Sequence, residues 1–196
     1  MKKNACAVLV FVSVIFGPLG VSSAAQGKRL SADEAIKIMG LEPMPGRCGG
    51  YYKEIFRSSR DAKLESPDPR KCGSIIYHLI KGKYVVPFHK ITSDEIFSYL
   101  AGDRQVMLLV YPDGKWEEIT LGNNLAKGET PVKVVPAGVW MAELIKDSKT
   151  DSWSLITVTV MPGFDPKDYS HSSAADIIKN FPETEKRIKE LGLDKE

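Results

Sequence analysis

The chain has 196 residues, of which 43% are hydrophobic and 27% charged. That composition excludes general disorder, and the length suits one domain with a substantial core better than two. Lys and Arg number 27 against 25 Asp and Glu, a balance that gives no reason to expect nucleic acid or an anionic membrane as a partner.

The first residues read as a leader. Lys2 and Lys3 precede an apolar run over 5–16, followed by Gly17-Pro18 and the small residues Ser23-Ala24-Ala25. This is the charged, apolar, small-residue order of a secretory signal peptide, with cleavage expected after Ala24 or Ala25. An uncleaved anchor is the alternative, but the run is short for a membrane span and is broken by Gly17-Pro18. The expectation is a signal peptide over 1–25, a single domain over 30–193, a secreted or periplasmic location, and no membrane contact after cleavage. Removing Lys2 and Lys3 brings the basic count to 25, level with the acidic count. Removing Cys6 leaves Cys48 and Cys72, and in an oxidising compartment a lone pair is most simply a disulfide. Closing that loop of about 25 residues would stabilise by about 3 kcal/mol on the chain-entropy view. Two free buried thiols are the alternative.

Ser31-Ala-Asp-Glu34 is a capping box and Gly40 a helix stop, so a short helix is predicted between them with Ile36 and Met39 on its apolar side. Residues 41–50 are rich in Pro and Gly and read as loop. Strands are predicted over 51–57 and 74–80, separated by a polar, exposed loop over 58–71. Strands follow over 85–89, 96–100, 105–111 and 116–121, the last two joined by the tight turn Pro112-Asp113-Gly114. After a loop over 122–131 come strands over 132–135, 139–145 and 153–160. The last is nearly continuous Ile, Val and Thr and is expected at the centre of a sheet. Two helices close the chain, one over 174–180 and one from Pro182 to near Gly192. Eight or nine short, regularly spaced strands with helices only at the ends predict an all-β sandwich or barrel, most simply a jelly roll.

The sharpest functional signal lies in the stretch 84–102, where an apolar strand delivers His89 and the next begins near Asp94 and Glu95. At this spacing His89 and Glu95 can reach one barrel interior from consecutive strands, as a metal ligand pair or an acid/base pair in a water-poor pocket. A nearby carboxylate would favour the imidazolium and burial would oppose it. Such a pair could move a proton at a sugar carbon or beside a carbonyl; the alternative is a structural His that helps close the barrel. On the strand 51–57, period two puts Tyr52 and Glu54 on one face, assigned inward because a charged inward residue needs a ligand or partner. An outward, solvated Glu54 is the alternative. Trp140 is read as a pocket wall or as plain core. Phe88, Phe97 and Tyr99 read as core, and His78 and His171 as structural or solvated.

His89, Glu95 six residues on, and Gly102 seven after that resemble the first cupin motif, and Pro136-Ala-Gly138 with Trp140 resembles the second. Together with Gly49-Gly50-Tyr51-Tyr52 and its continuation to Ser58, Ser93-Asp-Glu-Ile-Phe97 and Pro162-Gly-Phe-Asp165, they resemble the Cupin-5 family. This is an RmlC-like group labelled predicted sugar epimerases, with poorly defined function. The resemblance covers roughly 35–181. It implies a double-stranded β-helix jelly roll, usually dimeric, with the pocket inside the barrel. It also brings departures. Where metal cupins carry further His ligands, this chain has Ile91 and Met141, and Met141 is taken as lining the ligand pocket. Only His89 and Glu95 remain of a four-ligand set, so no metal or other cofactor is expected, beyond weak divalent binding by these two. Met44 and Cys48 replace the family's usual polar residues before the double glycine, and Leu100 stands where many members have His, which would make the pocket more apolar. The resemblance implies a small-molecule-binding cupin with His89 as acid/base group and Glu95 as its partner. Tyr52, Glu54 and Trp140 would shape the pocket, and isomerase or epimerase chemistry on a sugar-like or carbonyl-bearing compound is the further step. A non-catalytic binding cupin is the main alternative, and a metal-dependent oxygenase the third.

Overall fold

The computed structural model describes residues 29–64 and 69–195; the leader expected over 1–25 lies outside them. The chain begins with helix α1 (Ala32–Met39), then strands β1 (Glu42–Pro43), β2 (Tyr51–Arg57), β3 (Asp61–Ala62), β4 (Arg70–Lys71), β5 (Ser74–Lys81) and β6 (Val85–Lys90). Next come β7 (Asp94–Gly102), β8 (Gln105–Val110), β9 (Trp116–Leu121), β10 (Val132–Val135), β11 (Trp140–Ile145), β12 (Trp153–Met161) and β13 (Ser170–His171). Helices α2 (Ala174–Asn180) and α3 (Glu185–Leu191) end it. The strands form two antiparallel sheets, ordered β1-β2-β5-β12-β7-β10 and β13-β6-β11-β8-β9, while β3 and β4 make a separate hairpin. The fold is the all-β jelly roll expected, with one helix before it and two after. No helix among the described residues is long and apolar enough to cross a membrane.

Apolar layers hold the sheets, and three of them are extensive. The first lies between them, where Phe97, Met107, Leu109, Met141 and Ile156 meet. The second lies under the C-terminal helices, where Phe88, Leu108, Val110 and Ala142 cover Ile177 and Ile188. β8 serves both. All six of its residues are buried, because Met107 and Leu109 face the barrel while Leu108 and Val110 face the helices. A strand covered on both faces reads as a continuous apolar run rather than an alternating one. The third layer is the outer face of the six-stranded sheet, where Ala35 of α1 meets Leu79, Trp153 and Leu155. The predicted capping box is formed at Ser31 and Glu34, and Gly40 ends the helix in the left-handed conformation.

Two details position the barrel mouth. Pro136–Val139 is a tight turn, with the Val139 N–H donating to Pro136 O at 3.3 Å and Gly138 at φ +80, a conformation that suits glycine. Asp94 Oδ1 accepts from Ala137 N at 2.9 Å and Ile91 O accepts from Gly138 N at 2.8 Å. The turn is thereby bound to the start of β7. The second detail is a β-bulge between β6 and β11: Met141 faces His89, yet Glu143 faces Val86. Three steps along β6 oppose two along β11, so Val86 and His89 share the inner face although they are three residues apart.

Several expectations change. β7 starts at Asp94, so Glu95 is a strand residue. The polar loop over 58–71 contains the β3–β4 hairpin. The last helix starts as a 3-10 turn over Pro182–Thr184 and becomes α-helical at Glu185. The expected Cys48–Cys72 disulfide is not formed, and both thiols are free. Cys48 turns toward the barrel, whereas Cys72 is exposed just after β4, held by its N–H to Arg60 O at 2.9 Å.

Arg70, on β4, grips Asp168 through both terminal guanidinium nitrogens, and both side chains are largely buried. Arg70 holds the Asp168 carboxyl below its ordinary value. Replacing Arg70 with Met leaves that carboxylate buried without its counter-charge. The expected loss in chemical unfolding at pH 7 is about 3 kcal/mol. The pair stabilises above the unfolded Asp value of 3.8 and less as pH falls through the lower folded value. The gap between R70M and wild type therefore narrows in acid.

Candidate functional site

A cavity of about 120 Å³ opens at the barrel mouth. β2 contributes Tyr52, β5 Ile76 and His78, β6 Val86 and His89, β7 Glu95 and Phe97, β11 Glu143, and β12 Val158 and Val160. Loops complete it with Met44 and Cys48 before β2, Ile91 after β6, and Phe164 and Tyr169 after β12. Both sheets therefore supply one imidazole and one carboxyl.

His89 is buried, and its Nδ1 lies 2.9 Å from the carbonyl of Pro87, the residue at the bulge. A carbonyl only accepts, so Nδ1 carries the hydrogen and Nε2 keeps a lone pair. Burial pulls its pKa down to about 4, opposed by the Pro87 bond and assisted by nearby His78. Its ring stacks on Tyr169, with centroids 5.5 Å apart and planes at 22°. His78 is arranged the opposite way round: Nε2 lies 3.2 Å from Gly49 O, and burial lowers its pKa too. Gly50 makes that approach possible. A Cβ there would lie 2.7 Å from Leu79 O and 2.9 Å from His78 Nε2.

The carboxyls move the other way. Glu95 is 6% exposed and its Oε2 has no hydrogen-bond partner. Burial, with Glu143 adding to it, raises its pKa to about 8. Glu143 is raised to about 8 by burial, against a hydrogen bond from Gln105 Nε2. Burial pushes the Cys48 thiol up to about 11 and raises the Tyr169 phenol. The Tyr169 hydroxyl is buried beside the Cys48 thiol, which also raises it, and meets no nitrogen or oxygen partner. At neutral pH the cavity therefore holds bare imidazole nitrogens and protonated carboxyls, and the desolvation that the sequence set against an imidazolium prevails.

The structure brings His89, Glu95 and Tyr52 together and separates the other candidates. Glu54 shares the Tyr52 face of β2, but it is 39% exposed and bound to Arg57 at 2.5 Å. It sits outside the cavity because Arg57, which also donates to Phe164 O at 3.1 Å, holds it at the rim. Trp140 faces away from the barrel, under the C-terminal helices, with Lys90 Nζ 4.5 Å from its ring centroid. Met141 is barrel core and does not line the cavity. Leu100 is exposed and leaves the pocket's polarity unchanged. The sequence reading missed His78, Glu143, Cys48, Phe164 and Tyr169 as cavity residues. The side chains present do not fit a metal: Ile91 and Met141 stand where metal cupins carry His, and among the described residues no three His, Cys, Asp or Glu are placed so that they could hold one ion.

The Cupin-5 profile (Cupin superfamily, DUF985) matches residues 33–172. The chain belongs to the Cupin-5 family. It is similar to an uncharacterised protein of Saccharomyces cerevisiae, YML079W, at 32% identity over 152 residues, covering 71% of this chain and 75% of that one. A hypothetical protein from Leishmania major superposes with a TM-score of 0.73 at 26% identity, over 82% of this chain and 98% of that one. A protein from Shewanella oneidensis gives 0.71 at 29% identity, over 83% and 98%.

The raised carboxyls of this Cupin-5 protein have a sign that can be checked. Folded Glu95 keeps a proton that the unfolded chain releases above pH 4.5. Its contribution is therefore fully favourable below that pH and declines as pH rises to about 8. Glu95→Gln removes the ionisation. Thermal unfolding should show E95Q close to wild type at pH 5 and more stable by about 2 kcal/mol at pH 8.

Proposed function

We propose that this Cupin-5 protein binds a small molecule in the barrel cavity, with His89 and Glu95 holding its polar atoms. The observation that carries the reading is Glu95 Oε2, buried on the cavity wall without a partner. An unpaired buried oxygen costs about 1–3 kcal/mol, and a ligand group meeting it would offset that cost. The Nε2 of His89, left free by the Nδ1 bond to Pro87, supplies a second polar contact. A sugar-like or other carbonyl-bearing compound is the reading that suits an RmlC-like barrel. Export through the leader and assembly as a homodimer belong to the same proposal, resting on the sequence pattern and the family resemblance.

A second reading, isomerase or epimerase chemistry, is favoured by one feature. A neutral imidazole and a protonated carboxyl line the same cavity. His89 would take a proton from a carbon beside a carbonyl and Glu95 would return one at a neighbouring position. Exchange with water then restores both groups.

Native mass spectrometry of the purified protein, with His89→Gln beside it, tests the pair of readings. Wild type is expected to retain a small molecule that H89Q loses. Where the retained compound is turned over, H89Q should lower the rate by about 10²-fold or more. Equal retention and equal turnover in H89Q would overturn the role given to His89.

A further inference from the structure

Among the described residues the cavity wall holds two carboxyls, two imidazoles and no ammonium or guanidinium. Glu95 enters from β7 and Glu143 from β11, and both are buried. No Lys or Arg lines the wall. Among the described residues neither carboxyl meets an imidazole at ion-pair distance. Glu143 takes a hydrogen bond from Gln105 Nε2, and Glu95 Oε2 takes none. The imidazoles of His78 and His89 each spend one nitrogen on a backbone carbonyl. The rest of the lining is aliphatic and aromatic, with the rings of Tyr52, Phe97, Phe164 and Tyr169.

We propose that the cavity takes a compact organic cation, a protonated primary amine on a short apolar body, its ammonium within reach of Glu95 and Glu143. The inference rests on the reading of the barrel as a small-molecule site and departs from it in ligand chemistry, taking a primary amine where that reading has a sugar-like or carbonyl-bearing compound. Buried carboxyls are costly unless an opposite charge meets them. An ammonium has three donors and no acceptor, which suits an unpartnered carboxyl oxygen. Aromatic faces attract the same cation. An anion would find two acids and no counter-charge.

The proposal carries a proton balance. In the empty cavity burial keeps Glu95 and Glu143 protonated. An entering ammonium makes the carboxylate the better form, so a proton leaves to solvent as the cation binds. His89, lowered to about 4, stays neutral over this range, burial disfavours charge on His78 as well, and Cys48 and Tyr169 keep their protons. Binding should therefore release protons and tighten as pH rises from about 5 to 8.

Three probes of matched body separate charge from shape: propylammonium, 1-propanol and propionate. Each is titrated into the full chain by calorimetry in two buffers of different ionisation enthalpy, with methyl NMR shifts reporting the site. Propylammonium is expected to bind at least about tenfold tighter than 1-propanol at pH 7.5, with proton release, and propionate not at all. Glu143→Gln and Glu95→Gln should each weaken propylammonium about tenfold or more while changing 1-propanol little. Both variants keep side-chain shape, and circular dichroism checks their folding. If 1-propanol or propionate binds as well as propylammonium, or the variants leave propylammonium unaffected, the cation proposal falls and the cavity remains a small-molecule site. If none of the three shifts a cavity methyl in wild type, the cation proposal falls, while the small-molecule reading stands or falls on the compound retained in native mass spectrometry.

Discussion

Withdrawal of ionisable groups from water governs this barrel. Two carboxyls and two imidazoles line one small space, and the cost of charging any of them outweighs the partners nearby. Glu95 and Glu143 keep protons that exposed carboxylic acids would lose, and His89 refuses one that an exposed imidazole would share. Close neighbours reinforce the pattern within each kind, since Glu143 raises Glu95 and His78 lowers His89. A salt bridge at the same positions would have made a stable, inert plug. Desolvation without pairing leaves the groups with unspent hydrogen-bonding capacity.

The backbone makes that arrangement possible. One extra residue in β6 turns His89 inward without moving Phe88 from the outer layer, and the carbonyl of Pro87 within that bulge holds the imidazole's Nδ1. The cavity's outer wall depends on a longer connection. Tyr169 and Phe164 sit on a segment held by Ser74, Arg57 and the Arg70–Asp168 pair. The short β3–β4 hairpin therefore supports the cavity although none of its residues lines it.

The fold was legible because its signals are local and periodic: turn residues between alternating strands, a capping box, a proline at a helix start. His89 and Glu95 were legible because a polar residue stood out at each sheet-facing position. Trp140 and Met141 could not both have faced the cavity, because neighbours on a strand point to opposite faces. Period two would have paired Met141 with Glu143 instead, and it marks His78 beside Ile76 in the same way. Glu54 obeys the period but is exposed and paired with Arg57 on its own strand, which alternation does not report. Cys48, Phe164 and Tyr169 arrive on loops, whose paths have no period to read. The unformed disulfide has the same origin. Counting cysteines gives a pair, while loop paths decide whether the two sulfurs meet.

β8 is apolar on both faces, and this has a consequence for tolerance to sequence change. In a half-exposed strand a slip of one residue is punished by turning apolar side chains to water. In β8 a slip would exchange one apolar set for another, so polarity gives little protection against it. Its alignment with β9 is instead set by the Pro112-Asp113-Gly114 turn, where Tyr111 N donates to Lys115 O at 2.8 Å and Gly114 N to Tyr111 O at 3.0 Å. Gln105, at the other end, fits only where Glu143 is waiting. Length changes in that exposed turn, far from the cavity, would be felt as misplacement of the amide that holds a cavity carboxyl.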